Sequence, residues 1–122
     1  MKFIALIFLV LIAQTNSKLT EKNPYDYSSY SAILIDEDLV NQELTSTAQD
    51  ESVVYITNMN SIKNSIINKQ SGDASNIENS EFYGVNAAVL VQDGMLNVNG
   101  GKIITNAKGA NALVQQMEES WI

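Results

Sequence analysis

Val85-Asn86-Ala87-Ala88-Val89-Leu90-Val91 and, a little later, Gly109-Ala110-Asn111-Ala112-Leu113-Val114 are the stretches on which the fold turns. Each starts with turn-forming residues and runs into a short β-forming apolar segment. Asp50-Glu51-Ser52-Val53-Val54-Tyr55-Ile56 has the same form. After the first of the three in chain order come a short strand around Ile62 and then Asn64–Asn68. After the second come Met95–Val98 and then Gly101–Thr105. Asn86 and Asn111 fall at equivalent places, a spacing within the range of a stacked β-repeat. The longer interval from Glu51 to Asn86 holds a polar stretch, Gln70–Glu81 (QSGDASNIENSE), expected to be a loop inserted into a regular coil.

Short strands separated by Gly, Asn, Asp and Ser turns suit a chain that winds repeatedly and stacks its turns, a β-solenoid. Leu96 and Val98, then Ile103 and Thr105, are expected to point inward, where stacking buries them in columns. Gly94, Gly100, Gly101 and Gly109 are expected at turns. Asn86 and Asn111 are expected to form a side-chain amide ladder. The competing architecture is an antiparallel β-sandwich. Asn99-Gly100 between two apolar segments is a strong hairpin signal.

Outward from this core the organisation is simple. Met1–Ser17 has a positive start (Lys2), an apolar run from Phe3 to Ala13 and a polar end with small Thr15 and Ser17. That is the pattern of a secretory signal peptide, and the run is too short to span a membrane, which takes about 20 residues. Residues 18–47 are a polar leading segment and N-terminal cap carrying Tyr25, Tyr27 and Tyr30. Residues 48–114 hold the coils, with the insertion at 70–81. Residues 115–122 are a tail or cap, with Met117, Trp121 and Ile122 expected over the open end.

The formal charge is -7, and removing Lys2 with the leader makes it -8. All the cations are lysines, and they are few, so neither nucleic acid nor, after signal cleavage, a membrane surface is an expected partner. The chain has no Cys and no His. That excludes disulfides, a Ser-His-Asp triad, a Cys-His pair and a thiolate or imidazole metal site. There is no Arg for a bidentate phosphate or carboxylate clamp. Asn99-Gly100-Gly101-Lys102 lacks the length and the hydroxyl residue of a phosphate loop. Asp36-Glu37-Asp38 would need Asn or Asp at Val40 and Gly at Asn41 to be a calcium loop, so it reads as a solvated turn. Asp73, Glu78 and Glu81 have no spacing that fixes a role. No catalytic residue, metal site or cofactor is expected. Phe82 and Tyr83, beside the insertion, with Asn86, are the expected ligand contacts, since an aromatic pair can stack on sugar rings. The opposing reading is that the aromatics pack the insertion onto the coil.

From Ser46 to Val114 the chain resembles the repeat region of bacterial secreted and cell-surface right-handed parallel β-helix proteins, the pectate-lyase-like superfold with its adhesin-like members. The resemblance is carried by Ser46–Ser52, Ser71–Ser75, Glu81–Val91 and Thr105–Ala112, above all Phe82-Tyr83-Gly84-Val85-Asn86-Ala87-Ala88 and Gly109-Ala110-Asn111-Ala112. It implies a short coil of about three rungs acting as a non-catalytic adhesin-like or structural interaction module, secreted or surface-located. Polysaccharide or another surface protein is the implied partner, and end-to-end association of copies is a further expectation. The alternatives are a carbohydrate-binding module and a truncated remnant of a longer surface protein. Lyases of this superfold use a basic residue and a length that this chain lacks.

Overall fold

The computed structural model describes residues 25–117. The leader and the expected cap residues Trp121 and Ile122 lie outside the described residues. A 3₁₀ turn (Tyr27–Ser29) precedes strands β1 (Ser31–Ile35), β2 (Leu39–Val40), β3 (Glu43–Ser46), β4 (Glu51–Ile56) and β5 (Met59–Lys69). Helix α1 (Ile77–Tyr83), β6 (Val89–Gln92), β7 (Met95–Thr105) and β8 (Leu113–Gln116) follow. Strands β1, β2 and β3 thus lie inside the segment expected to lead into the coils.

The class is all-β, and every strand pairing among the described residues is parallel. One sheet has the order β1-β4-β6-β8. In the other, β2 and β3 both pair with β5, which pairs with β7 on its far side. Neighbouring strands of the first sheet are joined in the chain through strands of the second. In the first sheet Ser31 faces Glu51, Val54 faces Val89 and Val89 faces Leu113.

The parallel register overturns the antiparallel sandwich. The hairpin expected at Asn99-Gly100 does not form: β7 runs straight through it. Pairing of Lys63 with Asn99 and of Ser65 with Gly101 sets Gly100 beside Asn64, and the pairing of β2 and β3 with β5 sets Asn41 in the same column. All three have positive φ (55° at Asn41, 48° at Asn64, 75° at Gly100), the left-handed bend that Asn and Gly tolerate best. The Asn-Gly signal therefore marks a corner repeated from circuit to circuit and not a reversal. At Gly101, with φ 92°, a Cβ would lie 2.1 Å from the Ser65 carbonyl oxygen, so only glycine fits the approach.

The core between the sheets is built from columns of stacked side chains: Leu39, Ile62 and Val98; Leu44, Ile67 and Ile103; Val54 and Val89; Ile56 and Val91. Full burial of an Ile or Leu stabilises by about 1.5–3 kcal/mol. The Asn86–Asn111 ladder is not among the columns. Val89 pairs with Leu113, an advance that leaves Asn111 one position out of step with Asn86. Each amide instead bonds the insertion, Asn86 at the Gly72 carbonyl (2.9 Å) and Asn111 at that of Ser80 (3.5 Å).

One core side chain is charged. Lys69 is fully buried, and its Nζ donates to Ser46 Oγ (3.2 Å), the Ala48 carbonyl (2.5 Å) and the Glu51 carbonyl (2.7 Å). Three donors meet three acceptors at the corner where β3 turns into β4. Burial pushes the Lys69 pKa down, against the pull of Glu51, Asp50 and Asp73.

Candidate functional site

The polar stretch after β5 is not wholly loop, because its second half is helix α1. Asn76 caps the start, its side chain accepting from the Asn79 N–H (3.1 Å), and Glu78 lies in the first turn. Gly84 ends the helix in the left-handed region (φ 76°), donating to the Ser80 carbonyl (3.2 Å). A helix of seven residues is marginal alone, so tertiary bonds hold it. Ser80 Oγ donates to the Gly109 carbonyl (2.5 Å), and Gln116 Nε2 donates to the Phe82 carbonyl (2.8 Å).

The three expected contact residues go to three environments. Phe82, at the end of α1, is 62% exposed. Tyr83 is half-buried and stacks on Tyr25, with ring centroids 5.5 Å apart and planes 24° apart. Asn86 is fully buried at φ 72°, and its Oδ1 has no hydrogen-bond partner. The aromatic rings of Phe82 and Tyr83 are neighbours at 6.4 Å, but Asn86 has no solvent face.

Tyr83 belongs to a larger group. All five tyrosines of the chain gather on the outer face of the first sheet: Tyr25 against Tyr27 (4.8 Å), Tyr27 against Tyr55 (6.4 Å) and Tyr30 against Tyr55 (4.6 Å). Val85 and Leu90 complete this second apolar cluster. Three of its hydroxyls donate to protein acceptors. Tyr27 donates to the Tyr83 carbonyl (2.9 Å), Tyr30 to the Gly84 carbonyl (2.7 Å) and Tyr55 to Gln92 Oε1 (2.8 Å). Tyr30 also hydrogen-bonds Ser52 Oγ. Burial raises the Tyr30 and Tyr55 phenol pKa values, and nearby Asp36 and Asp93 add to the rise at Tyr55. The cluster is the reason β4 is buried on both faces.

Beside this cluster lies a cleft of about 190 Å³, walled by Tyr25, Ser29 and Ser31 on one side and by Ser75, Asn76 and Asn79 on the other. Gln49, Asp50 and Val85 also line it. The Asp50 carboxylate accepts from the Ser75 N–H (2.9 Å) and hydroxyl (2.5 Å), which fixes the lip of the insertion. Burial raises the Tyr25 phenol, and the charges of Asp50 and Asp26 raise it further. An aromatic ring, three side-chain amides and a carboxylate lining one hollow can hold a polar, ring-shaped ligand. Sequence reading placed Tyr25 only in the polar leading segment and N-terminal cap, and missed Asn76 and Asn79. The cap signal at Asn76, three residues before Asn79 and eight before Gly84, was the available clue.

The remaining aspartates are structural. Asp36 accepts from the Thr57 N–H (2.6 Å), the Thr57 hydroxyl (2.6 Å) and the Asn58 N–H (3.1 Å). Desolvation pushes the Asp36 pKa up, but those bonds outweigh it and hold the carboxyl below its ordinary value. Asp38 accepts from the Ser61 N–H (2.9 Å) and Asn60 Nδ2 (3.1 Å), which lower its pKa too. Asp73 accepts from the Lys108 N–H (3.0 Å). Asp36-Glu37-Asp38 is therefore no merely solvated turn, because two of its carboxylates hold the backbone of the next circuit. Among the described residues no three potential metal ligands gather, and no helix is long and apolar enough to cross a membrane.

No family model, curated protein or solved structure matches the chain, so its site is read from its own geometry.

Proposed function

We propose that the chain is a short right-handed parallel β-solenoid, secreted or held at the cell surface, that works as a non-catalytic, adhesin-like interaction module. Parallel pairing that carries the same corner through Asn41, Asn64 and Gly100 supports the coil reading. A residue inventory without His, Cys or Arg, and aspartates engaged by backbone N–H groups, support the non-catalytic part. The observation that carries the function is Phe82, a large apolar side chain 62% exposed on helix α1, beside an insertion that leaves the strand register intact. An insertion raised from a rigid scaffold is a usual place for a contact residue.

The test is adhesion of the purified full chain, immobilised on beads, to extracellular matrix proteins and to whole cells. Phe82→Ser should lower retention at least about fivefold, the scale expected when an exposed aromatic anchor is lost. Equal retention of the wild type and of uncoated beads would overturn the reading.

A second reading, carbohydrate binding, is favoured by the cleft of Tyr25, Asn76 and Asn79. Titration calorimetry with neutral oligosaccharides would then give heat that Asn79→Ala abolishes. No heat with the wild type rejects it.

A further inference from the structure

Strand β7 pairs with β5 along one edge, and among the described residues no strand pairs with its other edge. The inward columns end there unfinished. Ile62 is 1% exposed, whereas Val98 beside it is 48% exposed, and Leu96 and Ile103 are only half-buried. A shallow hollow of about 200 Å³ opens between Ile62, Ile67, Val98, Gly101, Lys102 and Ile103. We infer that this edge of β7, unpaired among the described residues, receives one extended strand of another polypeptide, laid parallel to it, with apolar side chains over Val98 and Ile103 and a carboxylate beside Lys102.

The columns specify the chemistry of that strand. In earlier circuits Leu39 stands in the Val98 column, Asn41 in the Gly100 column, Glu43 in the Lys102 column and Leu44 in the Ile103 column. A strand of the pattern Leu-x-Asn-x-Glu-Leu therefore continues the apolar columns, takes the left-handed corner and sets opposite charges side by side. A whole second copy cannot supply it in register. β1 and β2 pair with the consecutive strands β4 and β5, so a copy whose β2 and β3 lay on β7 would set its β1 on β6. That edge of β6 is already taken by β8. The occupant is thus a single strand, adding to the sheet edge by backbone hydrogen bonds. Neither Phe82 nor the cleft takes part, so the two surfaces succeed or fail separately.

The probe is a fluorescein-labelled synthetic peptide with the sequence of residues 38–46, titrated with the full chain and followed by anisotropy. Saturable binding is expected, with loss of at least tenfold in affinity for Val98→Asp. Lys102→Glu should weaken binding by about fivefold, a shift of the size exposed ion pairs allow, and a peptide carrying Glu43→Lys should restore it. Circular dichroism of each variant checks that the β signal is kept. Absence of binding, or equal binding to both charge variants, would overturn the inference and leave Lys102 as a guard against edge pairing. Hydrogen exchange gives a second measure. Protection of the β7 amides in the free chain, lost when residues 118–122 are deleted, would assign the edge to the chain's own end and overturn it as well.

Discussion

Strands β5 and β7 are both eleven residues long and lie side by side from Met59 beside Met95 to Lys69 beside Thr105, yet they meet opposite fates. In β5, Ile62, Ser65, Ile67 and Lys69 are buried, whereas most of β7 is exposed. Their inward residues are of the same kind, Ile above Val and Ile above Ile. The difference is that, among the described residues, β5 has a strand on both sides and β7 on one. In these parallel sheets a residue's burial is conferred by the strands on either side of it, and its own hydrophobicity only makes use of that position.

Three experiments sharpen this comparison. The largest effect is expected at the paired residues Ile62 and Val98. Ile62→Ala should cost about 2–5 kcal/mol in urea unfolding, because it opens a cavity between two covered strands. Val98→Ala should cost less than about 1 kcal/mol. Equal losses would mean that β7 is covered in solution and would remove the contrast.

Next come the lysines. Lys69→Met removes the ammonium's three bonds to Ser46, Ala48 and Glu51 inside the corner, and should cost about 1–3 kcal/mol by the same measurement. Lys102→Met, on the exposed strand, should change stability by no more than about 0.5 kcal/mol. A neutral Lys69→Met would show that water reaches that corner.

The smallest effect concerns Asp36, whose carboxylate joins one circuit to the next. Asp36→Asn should cost about 1 kcal/mol, the usual worth of such a bond. Its pKa is lowered in the fold, so the stabilisation is complete above the unfolded value of about 3.9 and is lost as pH falls through the lower, folded value. Acid unfolding curves of wild type and Asp36→Asn should therefore converge below about pH 4. A constant gap at all pH values would detach the effect from the ionised carboxylate.

Much of this was legible beforehand, for physical reasons that can be named. The three apolar segments that mark the first sheet repeat visibly because each must fill an equivalent place between neighbouring circuits. The corner at Gly100 was visible as the Asn99-Gly100 signal, but that signal fits a hairpin as well, since Asn-Gly supplies the same positive φ to a bend and to a reversal. Helix α1 was hidden because seven residues are too few to show periodicity and its hold on the coil is through Ser80 and Gln116, which give no pattern. The cleft was hidden for a related reason. Tyr25, Asp50 and Asn79 meet only through the fold. Lys69 in the core ran against every expectation from composition, because a buried ammonium needs acceptors that three separate residues provide.

The unequal circuits carry one more consequence. Going from Ser31 to Glu51, from Val54 to Val89 and from Val89 to Leu113, the chain spends very different lengths to return to the same sheet, yet the strands stay in register. What is conserved from one turn to the next is the corner, not the count. Insertions and deletions that fall between corners should therefore be absorbed locally, whereas a single residue gained or lost within β5 or β7 would swap the inward and outward faces of everything beyond it up to the next bend. Such a chain can diversify by length at one outward site while its scaffold stays fixed, which makes the exposed part of the segment between β5 and β6, ahead of the buried Val85–Ala88, the natural place to graft a foreign loop.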